Sequence, residues 1–184
     1  MLNSNVNNIR FIITTSRHDT RRTRTFCKDL SYAIPRALKI NRGKMSIEDI
    51  HSLALKCKCM RVIIVNTFRG NPGLMTFYSV GKNELIPLEP RLKIISVKMV
   101  FEIREAKRIK VEDAVIYCTE DSLNIASVLS ELFSFKLFLN VNLNYFPVNF
   151  SIINLKSLGN DYFYLYFINS SQQIIGPIIK AKFV

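Results

Sequence analysis

The sequence predicts an α/β fold that contains both parallel and antiparallel strands. Residues 9–66 alternate between apolar, strand-like runs and amphipathic helical patterns, which is typical of parallel strands joined by helical crossovers. Residues 148–182 instead hold extended segments separated by short polar turns, which predicts an antiparallel meander. A loose strand–turn–helix echo of the first segment recurs at residues 113–132, so we expect related halves at about 9–104 and 105–184, with chance similarity as the alternative.

The first half begins with a buried strand and an amphipathic helix. Residues 9–14 are mostly apolar, and the polar turn after them offers Asp19 or Thr20 as the N-cap of the helix. Apolar positions then recur every three or four residues until Pro35 ends the helix. These apolar positions are Phe26, Leu30, Ala33 and Ile34.

A second helix and a third strand complete the crossover pattern. A short strand at 37–40 precedes the sequence NRGK, and Ser46 and Asp49 then have the spacing of a capping box. Residues 61–66 form another buried strand. The buried side of the second helix is predicted to consist of Ile47, Ile50, Leu53, Ala54 and Cys57.

The remaining elements are mostly extended. A turn at 69–73 precedes a strand at 74–80, and a charged segment at 105–113 is the expected boundary between the halves. Between them, alternation predicts a long strand whose buried face carries Ile95, Val97, Met99, Phe101 and Ile103. The second half is predicted to contain a strand at 114–118, a helix at 121–133, and extended segments at 135–141, 148–156, 162–168 and 173–182.

Length and charge indicate one basic domain over residues 1–184. A chain of 184 residues is long enough for one sizeable core. The net charge is +12, and residues 1–44 hold ten Lys/Arg against two Asp/Glu, so most of the excess lies in the first quarter. Such a concentration is typical of a surface that binds a polyanion.

Composition also argues against several classes of protein. The polar residues 1–8 lack the apolar core of a signal peptide, and the apolar region 132–155 is too interrupted to span a bilayer, so we expect a cytoplasmic protein without a membrane partner. The four cysteines lack zinc or redox spacing and are expected to be ordinary thiols in a reducing compartment. His18 and His51 are too few and too separated to indicate a metal site.

Arginines are concentrated at the N-terminal end of the first helix, where positive charge is unfavourable. Unpaired N–H groups give a helix start a partial positive charge, so each exposed cation there costs roughly 0.3–1 kcal/mol. The echo in the second half has Glu120 and Asp121 at this place instead. A bound phosphate would make the arrangement favourable, whereas pairing with Asp19, Asp29 or distant acids is the alternative. The first helix start carries Arg17, Arg21, Arg22 and Arg24.

A parallel sheet would bring further cations to the same place. The strands at 9–14 and 37–40 are expected to end at one edge, the usual ligand site of such sheets, and Arg69 leaves the third strand on that side. Gly43-Lys44 lacks the rest of a nucleotide-binding loop, so no cofactor or small-molecule substrate is expected. The predicted RNA-binding residues are Arg17, Arg21, Arg22, Arg24, Lys28, Asn41, Arg42, Lys44 and Arg69.

Two other functions are alternatives to RNA binding without catalysis. Ser16, His18 and Asp19 invite a catalytic-triad interpretation, but triads are rarely assembled from near neighbours in one turn, and we predict no enzyme. The aromatic-rich residues 133–184, with four Lys/Arg and one acid, offer either core or a docking patch for an assembly protein. Phe68 and Tyr78 are candidates for base stacking or for packing.

At the residues just described, the chain resembles the Brix-domain family of ribosome-assembly proteins in its short archaeal-type form. The resemblance rests on the run IITTSR at 12–17, the basic helix with Phe26, Pro35, and the sequence NRG at 41–43. It implies two related α/β halves with mixed sheets packed as one compact body, similar to class IIa aminoacyl-tRNA synthetase anticodon-binding domains. It also implies rRNA processing: binding of precursor rRNA or small nucleolar-type RNA during subunit assembly, alongside other assembly proteins.

Overall fold

The computed structural model describes residues 9–184, so the polar segment 1–8, on which the expected lack of a signal peptide rested, lies outside the described residues. The mixed α/β fold is confirmed. Its elements are β1 Phe11–Thr15, α1 Arg21–Ala33, β2 Ala37–Lys39, α2 Ile47–Lys56, β3 Arg61–Phe68, β4 Asn71–Val80, β5 Leu85–Lys98, β6 Asp113–Cys118, α3 Leu123–Phe133, β7 Lys136–Leu139, β8 Phe150–Gly159, β9 Tyr162–Ile168 and β10 Ile178–Phe183.

All ten strands join one sheet, in the order β2-β1-β3-β4-β5-β10-β9-β8-β6-β7. β1 is parallel to β2 and β3, β6 is parallel to β7 and β8, and the other neighbours are antiparallel. The sequence predicted two halves with mixed sheets packed as one body; in the structure β10 pairs with both β5 and β9, so the two halves share one continuous sheet. Each end of the sheet therefore has three parallel strands followed by antiparallel ones, and the division into related halves remains a prediction.

Helix α1 is buried on most of its circumference. Thr20 is its N-cap, and the hydroxyl of Thr20 accepts a hydrogen bond from the Thr23 amide. The end of α1 contacts the second half so closely that a Cβ atom on Gly176 would lie 2.8 Å from that of Ala33. Only a hydrogen atom fits at residue 176, so the second half packs directly against the end of the helix there.

One apolar core includes side chains from both halves. Phe77 packs edge-on against Phe133 with ring centroids 4.9 Å apart, and Phe11 packs against Phe135 at 5.5 Å. Helix α2 covers the opposite face of the first half, and the predicted capping box of Ser46 and Asp49 is present at its start. β1 is therefore buried on both faces, as expected for a central parallel strand.

The long strand predicted to continue through residue 103 is wrong beyond Lys98. A register shift against β10 makes Ile95 an extra residue on β5, so the alternation changes phase and Ile95 is 42% exposed. After β5 the chain forms a short 3-10 helix, Val100–Glu102, on which Phe101 is 66% exposed. The expected inward orientation of Ile95 and Phe101 is therefore reversed.

A buried carboxylate ends the extended strand. Asp29 of α1 is completely buried, and its Oδ2 accepts a hydrogen bond of 2.9 Å from the backbone N–H of Val100. Its Oδ1 accepts from Nε of Arg108 at 2.6 Å. The Val100 amide is thus bonded to the helix and not to a neighbouring strand, and the charge of Asp29 is compensated.

Replacing Asp29 tests this arrangement. Asp29→Ala removes the partner of Arg108 and of the Val100 amide, so we expect the free energy of unfolding to fall by roughly 3 kcal/mol. Urea denaturation followed by circular dichroism measures it. Glu112→Ala, which changes an exposed acid, is the control, and equal stability of the two variants would contradict the assignment.

Candidate nucleic-acid interface

A cleft of about 490 Å³ lies where β1 and β2 end and α1 begins. Because these two strands are parallel, the turns that follow them meet at one edge of the sheet, and α1 forms the wall between them. We refer to this depression as the basic cleft. Its lining consists of Arg17, Asp19, Arg21, Arg24, Thr25, Lys28, Lys39, Asn41, Arg42 and Gly43.

The exposed side of α1 forms one wall of the basic cleft. Since the other sides of α1 are buried, its exposed stripe contains Arg21, Arg24 and Lys28, which follow one another at intervals of three and four residues. The first turn of α1 contains no acidic residue. Two of the four cations that the sequence placed at the helix start, Arg21 and Arg24, therefore lie on this stripe beside the partial positive charge of the helix, and Lys28 extends the stripe by one turn.

Asp19 supplies the single carboxylate of the lining. Its Oδ2 accepts a hydrogen bond of 2.7 Å from the Thr15 hydroxyl, and its Oδ1 accepts one of 2.7 Å from Arg24. Asp19 thereby fixes the turn after β1 and offsets one positive charge. The basic cleft holds six cationic side chains against this one acid, so it has a large excess of positive charge.

Arg42 forms the floor of the basic cleft. It is only 6% exposed, and its Nε donates a hydrogen bond of 2.8 Å to the Met45 carbonyl. Burial lowers the pKa of Arg42, and the positive charge of Arg17 lowers it further. Within residues 9–184 no carboxylate forms an ion pair with Arg42. A cation held in this way is compensated best by an anion from outside the chain.

Two further features complete the turn after β2. Gly43 has a φ of +51°, in the left-handed region that glycine adopts without strain, and this lets the chain turn sharply beside Arg42. Lys39, which was not among the predicted site residues, also lines the basic cleft and donates a hydrogen bond to Asn41. The sequence did hold a signal for Lys39. Residues two apart in a strand point to the same face, and Ala37 packs against the core beside α1, so Lys39 at the carboxyl end of β2 points toward α1 as well.

Three of the predicted site residues lie outside the basic cleft. Arg22 projects from a different side of α1 and forms a two-pronged ion pair with Glu102, at 2.6 and 3.1 Å. Arg69 lies at the tip of the β3–β4 hairpin with its guanidinium 5.3 Å from the ring centre of Phe68. Lys44 is exposed but does not line the cleft. The expected convergence therefore applies to Arg17, Arg21, Arg24, Lys28, Asn41 and Arg42.

The turn after β1 does not form a catalytic triad. The Ser16 hydroxyl donates to the backbone carbonyl of His18 at 3.4 Å, and Asp19 is bonded to Thr15 and Arg24. No hydrogen bond links the three side chains, so the turn lacks the nucleophile–base contact that a triad requires. Tyr78, a candidate for stacking, is half-buried against α2 and its neighbours.

Residues 9–184 contain neither a membrane-spanning helix nor a cluster of metal ligands. This part of the chain holds no helix with the length and apolar character needed to cross a membrane. It also holds no group of three His, Cys, Asp or Glu side chains arranged to bind a metal ion. The fold and the basic cleft together define a mixed α/β protein with a cationic edge.

Comparison of the sequence with known proteins shows which proteins of this class it is similar to. No family model matches the chain. A probable Brix domain-containing ribosomal biogenesis protein of Sulfurisphaera tokodaii is 32% identical over 80 residues, which span 44% of this chain and 46% of that relative. A protein of the same description from Pyrobaculum aerophilum is 27% identical over 126 residues, 68% of this chain and 69% of the relative.

A solved structure matches almost the whole chain. The crystal structure of a probable ribosomal biogenesis protein from Aeropyrum pernix has a TM-score of 0.80 and 25% identity, and the match covers 95% of this chain and 96% of that one. The chain is therefore similar, in sequence and in fold, to archaeal Brix domain-containing ribosomal biogenesis proteins. The resemblance inferred from the sequence is confirmed, although the match spans less than half the length of the Sulfurisphaera relative.

Inorganic phosphate tests whether the basic cleft accepts anions. At about five times its dissociation constant, a ligand that binds only the folded state adds about 1 kcal/mol of stability, or roughly 2–4 °C in Tm for a chain of this size. We expect phosphate to raise Tm by this amount and Arg42→Gln to abolish the rise. Differential scanning fluorimetry measures it, with sodium chloride at equal ionic strength and the Arg104→Gln variant as controls.

The Arg22–Glu102 pair predicts a dependence of stability on pH. The hydrogen bond from Arg22 holds the pKa of Glu102 below its ordinary value of 4.5. The carboxylate therefore stabilises the fold above that ordinary value, and the contribution disappears as pH falls through the lowered value. Between about pH 5 and about pH 3, the free energy of unfolding should fall more steeply for the native protein than for Glu102→Gln. Parallel curves in urea denaturation would contradict this.

Proposed function

We propose that the protein is a non-catalytic RNA-binding factor in ribosome biogenesis. The single observation that carries this proposal is the basic cleft, in which six cations face one acid and Arg42 is buried without a carboxylate partner among the described residues. RNA supplies what this surface lacks, because each phosphate brings a negative charge and several hydrogen-bond acceptors.

The geometry suits a phosphate backbone better than a single small anion. The cations come from α1, from the turn after β1 and from the end of β2 with its following turn, so together they can contact several phosphates of one strand. Guanidinium groups grip phosphate through paired N–H donors, and the start of α1 adds its backbone N–H groups. We assign phosphate contacts to Arg17, Arg21, Arg24, Lys28, Lys39, Asn41 and Arg42, with Lys44 and Arg69 peripheral and Arg22 left out.

The relatives support the biological setting. Their printed descriptions are those of ribosomal biogenesis proteins, and the Aeropyrum structure has the same fold over nearly its whole length. We infer that the RNA is precursor rRNA or a small guide RNA bound in the cytoplasm during rRNA processing. We also infer that the domain consists of two related halves, 9–104 and 105–184, like the anticodon-binding domains of class IIa aminoacyl-tRNA synthetases.

A second candidate function, docking of another assembly protein, is favoured by a different surface. Tyr145 is 84% exposed and Val148 is 66% exposed, next to the partly exposed Leu139. Helix α2 covers the corresponding sheet face in the first half, whereas only a short 3-10 helix, Leu143–Tyr145, lies over this one. This role is compatible with RNA binding, because the two surfaces are separate.

The salt dependence of RNA binding tests the proposed function. If about six phosphates are contacted, log affinity for single-stranded RNA should fall against log salt concentration with a slope of about −4. Arg17→Gln combined with Lys28→Gln should reduce the slope by about 1.4 units. Fluorescence anisotropy with a labelled oligouridylate measures both.

The matched control is Arg104→Gln, which removes a charge that is 95% exposed and lies outside the basic cleft. This variant should retain the slope of the native protein. Binding without salt dependence, or an equal loss in both variants, would contradict the assignment of the cleft. Cleavage of precursor rRNA by the purified protein would contradict the non-catalytic role.

A further inference from the structure

A large aromatic side chain stands exposed next to the basic cleft. Phe101 is 66% exposed and lines a second depression of about 580 Å³ together with Arg21, Arg22, Thr25 and Arg108. Arg21 and Thr25 line both depressions, so the two are continuous across the exposed side of α1. An aromatic ring therefore lies at the end of a row of cations.

The backbone that carries Phe101 is held on both sides. Before it, the Val100 amide donates to the buried carboxylate of Asp29, which also binds Arg108. After it, Glu102 pairs with Arg22 and accepts a hydrogen bond of 2.8 Å from the Met99 amide. Three anchors thus fix a three-residue turn whose middle side chain points into solvent. Because the backbone on both sides of Phe101 is held, presenting the ring to a partner costs less chain entropy than it would on a mobile loop.

The surroundings of Phe101 favour a nucleobase as that partner. The depression is lined by three arginines and by no acidic residue, so it favours an anionic ligand with a flat, weakly polar surface. Two of these arginines already pair with Glu102 and Asp29, and they act mainly on the turn itself. Arg21 has no ion pair within residues 9–184, and it faces both the ring and the basic cleft.

We infer that Phe101 is a stacking platform for an unpaired base, and that the protein therefore binds single-stranded RNA. The inference rests on the proposed function: phosphates lie in the basic cleft, and the next base along the strand stacks on Phe101. Proteins that bind single strands commonly combine a cationic groove with exposed aromatic rings in this manner. In duplex RNA the bases are stacked on one another and are not available to the ring.

Phe68, the exposed aromatic that the sequence suggested for stacking, fits this role less well. It is 65% exposed, but the guanidinium of Arg69 already lies 5.3 Å from the centre of its ring. The depression beside Phe68 is lined by one cation, Arg69, and by apolar or uncharged residues of β4 and β5. It is also not continuous with the basic cleft through shared lining residues.

The test compares two 12-nucleotide probes, an oligouridylate and a ribose-phosphate strand of the same length without bases. Phe101→Leu keeps an apolar side chain of similar size and removes the π face. Because stacking on an aromatic side chain is worth about 1–3 kcal/mol per base, Phe101→Leu should bind the oligouridylate about 5- to 150-fold more weakly. Its affinity for the baseless strand and its salt slope should equal those of the native protein. Phe101→Trp should restore binding.

Tyr145→Leu is the matched control, because Tyr145 is more exposed than Phe101 and no Lys or Arg lies within five residues of it in sequence. This variant should bind both probes like the native protein. Equal oligouridylate affinity of Phe101→Leu and native protein, with the salt slope intact, would overturn the stacking inference alone and leave Phe101 to a protein partner. Absence of salt-dependent binding by the native protein would overturn the proposed function and, with it, this inference.

Discussion

The buried carboxylate of Asp29 is the interaction on which both proposed binding features depend. It lies on α1, is completely buried, binds the Val100 amide and is neutralised by Arg108. Through these contacts it fixes the rotation of α1 about its own axis, and hence the direction of the stripe formed by Arg21, Arg24 and Lys28. The same carboxylate ends β5 and sets the turn that exposes Phe101. One compensated charge therefore positions the cationic wall and the aromatic ring relative to each other.

Sequence periodicity accounts for much of the candidate site. The apolar positions of α1 predicted its buried side, and the parallel arrangement of β1 and β2 predicted that Arg17 and Arg42 would approach the same edge. Arg22 was placed in the site because of its neighbours in sequence, but one residue corresponds to about 100° of rotation around a helix. Its partner Glu102 is 80 residues away, and a pairing over that distance has no local signal in a single sequence.

The order of the elements was also predictable, whereas their assembly into one sheet was not. Turn residues, the capping box at Ser46 and the run of short strands near the end all indicated the elements themselves. The alternation after β5 was misleading, because a bulge at Ile95 changes the phase and the tertiary contact with Asp29 interrupts the ladder. The position of β10 between β5 and β9 depends on contacts between distant segments, which local patterns do not encode.

That position has a consequence for the chain as it is being synthesised. β5 is fourteen residues long, and part of one edge stays without its partner until residues 178–183 have left the ribosomal exit tunnel. An open edge of this length invites pairing with other nascent chains. The part of β5 that β10 later covers contains Lys93 and Lys98, and lysine side chains protect natural edge strands from such association. This part of β5 is internal in the folded protein, but its composition suits an edge strand that is exposed to solvent until β10 has been synthesised.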